Sequence, residues 1–420
     1  MKLARKHAAV SYAVLLAAAI GLSACGEKKG DAESGSTAEA PAAAPAAEST
    51  AAESTTAPAT AAPAATQEAA TTPAQPGAEP KELNVYNWAD YIGEHTIENF
   101  EKETGIKVRY DTYDGNETLE AKLMTGNTGY DIVFPSSSFF ARQITIGIYQ
   151  KLDKSALPNL ANMDPQIMGK VSQQADPGNE YAVPYMWGTN GFTYNVDMIK
   201  QRMPDAPLDS LKMIFDPEVI SKFQDCGVSF LDSPEDVLQL ALAYMGKNPE
   251  SRNVDDIKAA VDMLMKVRPY IRRFDSQEYL NALPNGDLCI AMNWSGDYAT
   301  AAARAEEAGV KINLAYTIPK EGTNIWFDGM LVPKDAPHPK NAMLFLNYMM
   351  RPEVIAECTN FTNYANANKA AKEFVTPEIL NNPAIYPAEE IIKKGFSAVI
   401  RDAEVQRVIT REWTRLKTGQ

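Results

Sequence analysis

Beyond residue 80, apolar positions fall into short runs separated by amphipathic stretches. Leu83, Val85 and Tyr86 predict a strand leading into Asn87-Trp88-Ala89-Asp90-Tyr91-Ile92. The next segment puts Ile97 and Phe100 on one face at helical spacing, with Gly105 as its stop. Ile106 to Tyr110 predict a second strand. Glu117 to Met124 predict a helix carrying Leu119 and Leu123 together, and Asp131-Ile132-Val133-Phe134 a short buried strand. The same order returns later. Val228 to Asp232 read as a strand before a helix from Pro234 to about Tyr244, and Leu288 to Met292 as a strand running into Asn293-Trp294-Ser295-Gly296-Asp297. Asn341 reads as the cap of a helix over Ala342 to Met350, stopped near Pro352. Strands alternating with helices imply an α/β protein with mostly parallel sheets wrapped by helices. About 340 residues exceed one ordinary core, so two lobes with a cleft between them are expected.

The first 80 residues follow other rules. Lys2, Arg5 and Lys6 precede an apolar stretch from Ala8 to Leu22, and Leu22-Ser23-Ala24-Cys25 closes it with small residues. This layout is a secretory signal over 1–24, too short and wrongly flanked for a membrane span. Its end resembles a bacterial lipobox, which implies lipidation of Cys25 and a membrane anchor. An ordinary signal peptide with an incidental cysteine is the alternative. From Gly26 to Pro80 there is no aromatic residue, Leu, Ile or Val. Such a stretch buries too little apolar surface to offset its chain entropy, so 25–80 is expected to be a disordered tether. Its root-mean-square reach would be roughly 40 Å.

Removing the signal takes away three positive charges and no acid, moving the formal charge from -14 to -17. An acidic surface disfavours nucleic acid and suits cationic solutes. The mature chain has only His95 and His338, and Cys226, Cys289 and Cys358 show no metal-ligand spacing, so neither metal nor other cofactor is expected.

Ligands of open α/β sheets sit beyond the carboxyl ends of strands. Aromatic and acidic residues recur at those ends: Trp88, Asp90 and Tyr91; Ser136 to Ser138; Asp232, Glu235 and Asp236; Trp294 and Asp297; Trp326, Phe327 and Asp328; Tyr364. A polyamine is an alkyl chain with an ammonium at each end. When desolvated it needs carboxylate acceptors for the ends and apolar walls for the chain. Aromatic faces supply walls and attract the cation by about 0.5–2 kcal/mol. Each residue also has a plainer reading. Trp at a strand end packs cores, Asp90 suits a helix N-cap, Glu235 and Asp236 suit a helix first turn, and the serines suit a cap. A sugar site would use the same residue types, and two carboxylates could also serve a hydrolase. No site His, activated Ser or Cys, or phosphate loop supports an enzyme.

From about Leu83 to Lys417 the chain resembles the periplasmic putrescine/spermidine-binding proteins of bacterial polyamine ABC transporters, the putrescine-binding type most of all. The resemblance rests on Tyr86-Asn87-Trp88, Asn99 to Val108, Pro184-Tyr185-Met186-Trp187, Cys226 to Asp232 and Tyr364 to Ala371. It implies a two-lobed binding protein of the type II class, each lobe a mixed sheet flanked by helices, that closes on its ligand by a hinge. The expected division is 81–186 with about 309–345 in one lobe and about 187–308 with 346–420 in the other. The resemblance further implies no enzyme activity, a monomer, periplasmic location, and transfer of the ligand to permease subunits of an ABC importer. Carried over by position, Trp88, Asp90, Tyr91, Ser136, Asp236, Trp294, Asp297, Trp326, Asp328 and Tyr364 become ligand contacts, and Cys226–Cys289 a disulfide that leaves Cys358 free. Three positions depart: Ala89 stands where family members commonly have Ser or Thr, Asp236 replaces the Glu of the putrescine type, and Trp326 replaces its Phe, as in spermidine-preferring members. Putrescine is therefore the expected ligand, with spermidine preference as the alternative. An amino-acid site would need an Arg fork, and no matched position is Arg.

Overall fold

The structure is a computed structural model that describes residues 79–397 and 399–420. Residues 1–78, on which the expected signal peptide, lipidated Cys25 and most of the expected tether fall, lie outside the described residues. The strands are β1 (Glu82–Trp88), β2 (Lys107–Tyr113), β3 (Ile132–Val133), β4 (Ala182–Asn195), β5 (Val228–Phe230), β6 (Arg273–Phe274), β7 (Ile290–Trp294), β8 (Leu314–Thr317), β9 (Ile325–Leu331) and β10 (Ala365–Asn366). β1 pairs in parallel with β2 and β3, and β5 in parallel with β6 and β7. The remaining pairs are antiparallel, so the sheets are mixed. All fourteen residues of β4 are buried. Its first part pairs with β9 and β10, and its last part with β7 and β8.

The expected helices form, with local reasons for their ends. Thr96–Thr104 buries Phe100 and stops at Gly105, whose φ of 70° lets its N–H reach the Glu101 carbonyl. Asn116–Met124 buries Leu119 and Leu123. Pro234–Tyr244 starts with Pro in its first turn. Two capping expectations need correction. Asp90 caps nothing, because the helix begins at Thr96 behind His95, and Asp90 takes a left-handed φ of 53° instead. Asn341 lies inside the helix Pro339–Met349, and its amide donates to the carbonyls of Pro80 and Glu82. The orphan N–H groups of Lys340 and Asn341 are taken by the Glu79 carboxylate.

Two hydrophobic cores result. One holds Leu83, Phe100, Phe134, Tyr185, Phe327 and Phe345. The other holds Phe192, Phe215, Phe230, Leu264, Tyr279 and Leu416. β4 passes from the first to the second between Trp187 and Phe192. Gly188 and Gly191 sit at this passage because nothing larger fits. A Cβ on Gly188 would lie 2.6 Å from the Trp326 ring, and one on Gly191 would lie 2.0 Å from the Thr317 carbonyl. The late chain is shared between the two cores. Leu346, Ile355, Ile379 and Ile385 belong to the first core, since β10 is tied to Met186 and Trp187. β8, expected in the first lobe, pairs with the end of β4 and packs Leu314 and Ala315 on the second core.

Cys226 and Cys289 form a disulfide closing a sequence separation of 63 residues, and Cys358 is a buried free thiol. Constraint of the unfolded chain by a loop of this length contributes about 2–4 kcal/mol. A Cys226→Ala/Cys289→Ala double variant should lose that much in urea unfolding. An unchanged midpoint would mean that the bond does not form in solution.

Candidate functional site

Parallel pairing puts the carboxyl ends of β1 and β3 side by side, and likewise those of β5 and β7. The segments that follow these strands face each other across one cavity of about 200 Å³. Trp88, Asp90, Tyr91, Ser136, Asp236, Trp294, Asp297, Trp326, Asp328 and Tyr364 all line it. β1, β3, β9 and the segment before β10 supply its wall on the first core, while Asp236, Trp294 and Asp297 come from the second.

Three carboxylates carry the polar chemistry. Asp328 accepts from Tyr91 Oη at 2.8 Å and from Ser136 Oγ at 2.7 Å. Asn116 holds that serine in turn, through Nδ2 to its Oγ at 3.0 Å. Asp297 accepts from Tyr364 Oη at 2.6 Å and from Tyr279 Oη. Asp236 accepts from Asn190 Nδ2 at 2.6 Å, Asn324 Nδ2 at 3.2 Å and Trp294 Nε1 at 3.2 Å. Their direct donors are all neutral hydroxyl, amide or indole groups. Burial therefore dominates: it lifts Asp328 to about 7 and Asp297 to about 6, and raises Asp236 as well. Each is a carboxylate held in place and short of positive charge.

The aromatic side chains are equally fixed. Trp88 donates its indole N–H to the Phe134 carbonyl at 2.8 Å, and its ring stands 6.3 Å from that of Trp294 at 66°. Trp326 meets Tyr364 at 5.3 Å, and Tyr364 meets Tyr91 at 5.4 Å. The Tyr91 and Tyr364 hydroxyls point to different carboxylates, so this ring pair spans between Asp328 and Asp297.

Three other acids of the lining are already compensated. Asp232 meets Lys417 Nζ at 2.5 Å, Glu235 lies 3.6 Å from Arg401 Nη1, and Asp90 meets Arg304 Nη2 at 2.9 Å. Burial still pushes Glu235 to about 7. Sequence reasoning missed Arg304, Tyr279, Asn190 and Asn324. Arg304 had a signal, as it lies seven residues after Asp297 on the helix Ser295–Glu307 and so on the same face. Its fork is engaged by Asp90 and by Asn281 Oδ1 at 2.9 Å. Among the described residues no cluster of side chains is arranged for a metal ion, and no helix is long and apolar enough to cross a membrane.

Residues 95–388 match the family model of bacterial extracellular solute-binding proteins. The chain is 49% identical over 344 residues to the putrescine-binding periplasmic protein SpuD of Pseudomonas aeruginosa, covering 82% of this chain and 94% of that protein. Identity to the putrescine-binding periplasmic protein PotF of Escherichia coli is also 49%, over 345 residues, covering 82% and 93%. A solved spermidine/putrescine ABC transporter structure from Listeria monocytogenes superposes with a TM-score of 0.72 at 31% identity, covering 81% of this chain and all (100%) of that one.

Proposed function

The chain belongs to the bacterial extracellular solute-binding proteins, and from that premise we propose that it captures putrescine in the periplasm and delivers it to the permease of a polyamine ABC importer. It is a binding protein and not an enzyme. One observation carries the choice of ligand: Asp328, buried, and Asp297, half-buried, both without a direct cationic partner, lie at the two ends of an aromatic ring pair. That arrangement provides an acceptor for each ammonium of a diamine and a wall for its methylenes. We take the two cores as the lobes and the Gly188–Gly191 passage of β4 as part of the hinge. The ten lining residues expected from the sequence are the contacts we assign to the ligand, Asp90 at the edge of the site as the acid that Arg304 already pairs. We further propose that Cys25 is lipidated after cleavage of 1–24, which the Leu22-Ser23-Ala24-Cys25 sequence supports, and that 25–80 tethers a monomeric head to the membrane.

Calorimetric titration of the full chain with putrescine and spermidine tests the reading. One site per chain is expected for putrescine, and no heat with either amine would reject it. Trp326→Phe in the same titration should change the spermidine-to-putrescine affinity ratio by about threefold to tenfold, the range of a modest wall change. Stability should hardly move. Trp326 Nε1 is buried without an acceptor, so phenylalanine leaves no polar partner unpaired. An unchanged ratio would remove Trp326 as the selector.

A further inference from the structure

We propose that Arg304 is a cationic stop that seals the Asp297 end of the cleft and makes the ligand site extensible in one direction only. The inference rests on the polyamine reading above. Arg304 is the only Lys or Arg side chain of the described lining, set against acids along the rest of the cavity. It reaches from the second core to Asp90 on the first, across a sequence separation of 214 residues. Its other nitrogen is fixed by Asn281. Asp90 is positioned for this by its left-handed backbone, which aspartate adopts more readily than most residues.

The two ends of the cleft are thus electrically unlike. Beside Asp297 stand Arg304, the acid it neutralises, and Glu278 at the start of the helix that carries Tyr279 and Asn281. Arg304 is close enough to favour the ionised form of Asp297, while Asp90 opposes it. Near Asp328 stands Asp236, and Glu117 and Glu235 both feel the Asp236 charge. The cations that act on these acids, Arg401 on Glu235 and Arg142 on both Glu235 and Glu117, are not part of the cavity lining. An ammonium carried past Asp297 would meet a guanidinium, whereas one carried past Asp328 would meet carboxylates. A diamine ends at Asp297 without penalty. A longer amine must run toward Glu117 and Glu235, and a tetraamine has more charges than that end accommodates alone.

The test compares the full chain with Arg304→Gln and Arg304→Lys by titration with putrescine and spermine. Arg304 is about one-third exposed on a helix surface, so both replacements suit the local fold. Arg304→Gln should raise the spermine-to-putrescine affinity ratio at least tenfold, and Arg304→Lys should restore it to within about threefold of the parent. If Arg304→Gln binds putrescine with the ratio unchanged, or if Lys behaves like Gln, the stop does not exist although the polyamine reading stands. If the parent itself binds neither amine, the polyamine reading falls and the stop with it.

Discussion

Asp297→Asn should weaken putrescine binding by at least about 100-fold while leaving the empty protein as stable as its parent, or more so, at pH 7.5. The two effects have opposite signs for one reason. In the empty protein Asp297 is half-buried in the cavity wall, and its hydrogen-bonding partners are the hydroxyls of Tyr279 and Tyr364. Burial raises its pKa to about 6 from a carboxylate's ordinary 3.8. Above pH 6 its ionised form therefore opposes folding, by up to about 3 kcal/mol at 1.36 kcal/mol per unit. Asparagine removes that charge at nearly the same volume. In the complex the same charge faces an ammonium, and truncating one partner of a buried charged pair costs about 2–5 kcal/mol. At 1.4 kcal/mol per tenfold, the middle of that range exceeds 100-fold. Calorimetry and thermal unfolding of the two proteins, with and without putrescine, read both effects. A variant that binds within tenfold of the parent would show that Asp297 is not an ammonium acceptor. A variant that binds weakly and also melts well below the parent would show a structural role.

The strand-end residues were legible because a strand's carboxyl end fixes where the next few side chains project. Trp88, Asp90 and Tyr91 needed only β1 to be placed, and Trp294 and Asp297 only β7. The residues that hold the carboxylates were not legible in this way. Tyr279 lies in a short helix, Tyr279–Ala282, five residues past β6, a two-residue strand with no pattern of its own in the sequence, and it packs in the second core. Asn190 lies inside β4, where Pro184, Gly188 and Gly191 interrupt what would otherwise read as a long buried strand. Close approach of Trp326 and the Thr317 carbonyl sets those glycines, a tertiary demand absent from any local pattern. The packing of the late chain was not legible for a related reason. Which core receives 346–385 is decided by the pairing of Ala365 and Asn366 with β4, a long-range contact. The compensation of Asp232 by Lys417 likewise joins distant segments, so the sequence reading could not separate free acids from neutralised ones.

Binding should release protons and strengthen with pH up to about 7. Asp328 titrates near 7 and Asp297 near 6 in the empty protein, both raised chiefly by burial. Asp328 faces Ser136, Tyr91 and the charge of Asp236; Asp297 faces Tyr279, Tyr364, Arg304 and Asp90. At pH 6 Asp328 is mostly protonated and Asp297 about half so, while a diammonium ligand selects the ionised form of both. Putrescine should therefore expel on the order of one proton at pH 6, and each protonated carboxylate lowers affinity about tenfold per pH unit below its own pKa. Folding of the empty protein runs the other way. The native state holds these protons at pH values where the unfolded chain, near 3.8, has lost them. Their contribution is present at low pH and is lost as pH rises through 6 and 7. Bound putrescine reverses that loss, so the gap between the melting temperatures of the loaded and empty protein should widen from pH 5 to pH 7.5. Titration at pH 6 in buffers of different ionisation enthalpy gives the proton count directly. A count near zero, with affinity flat from pH 5.5 to 7.5, would mean that Asp297 and Asp328 are already ionised in the empty cleft, and their burial would then not set its electrostatics.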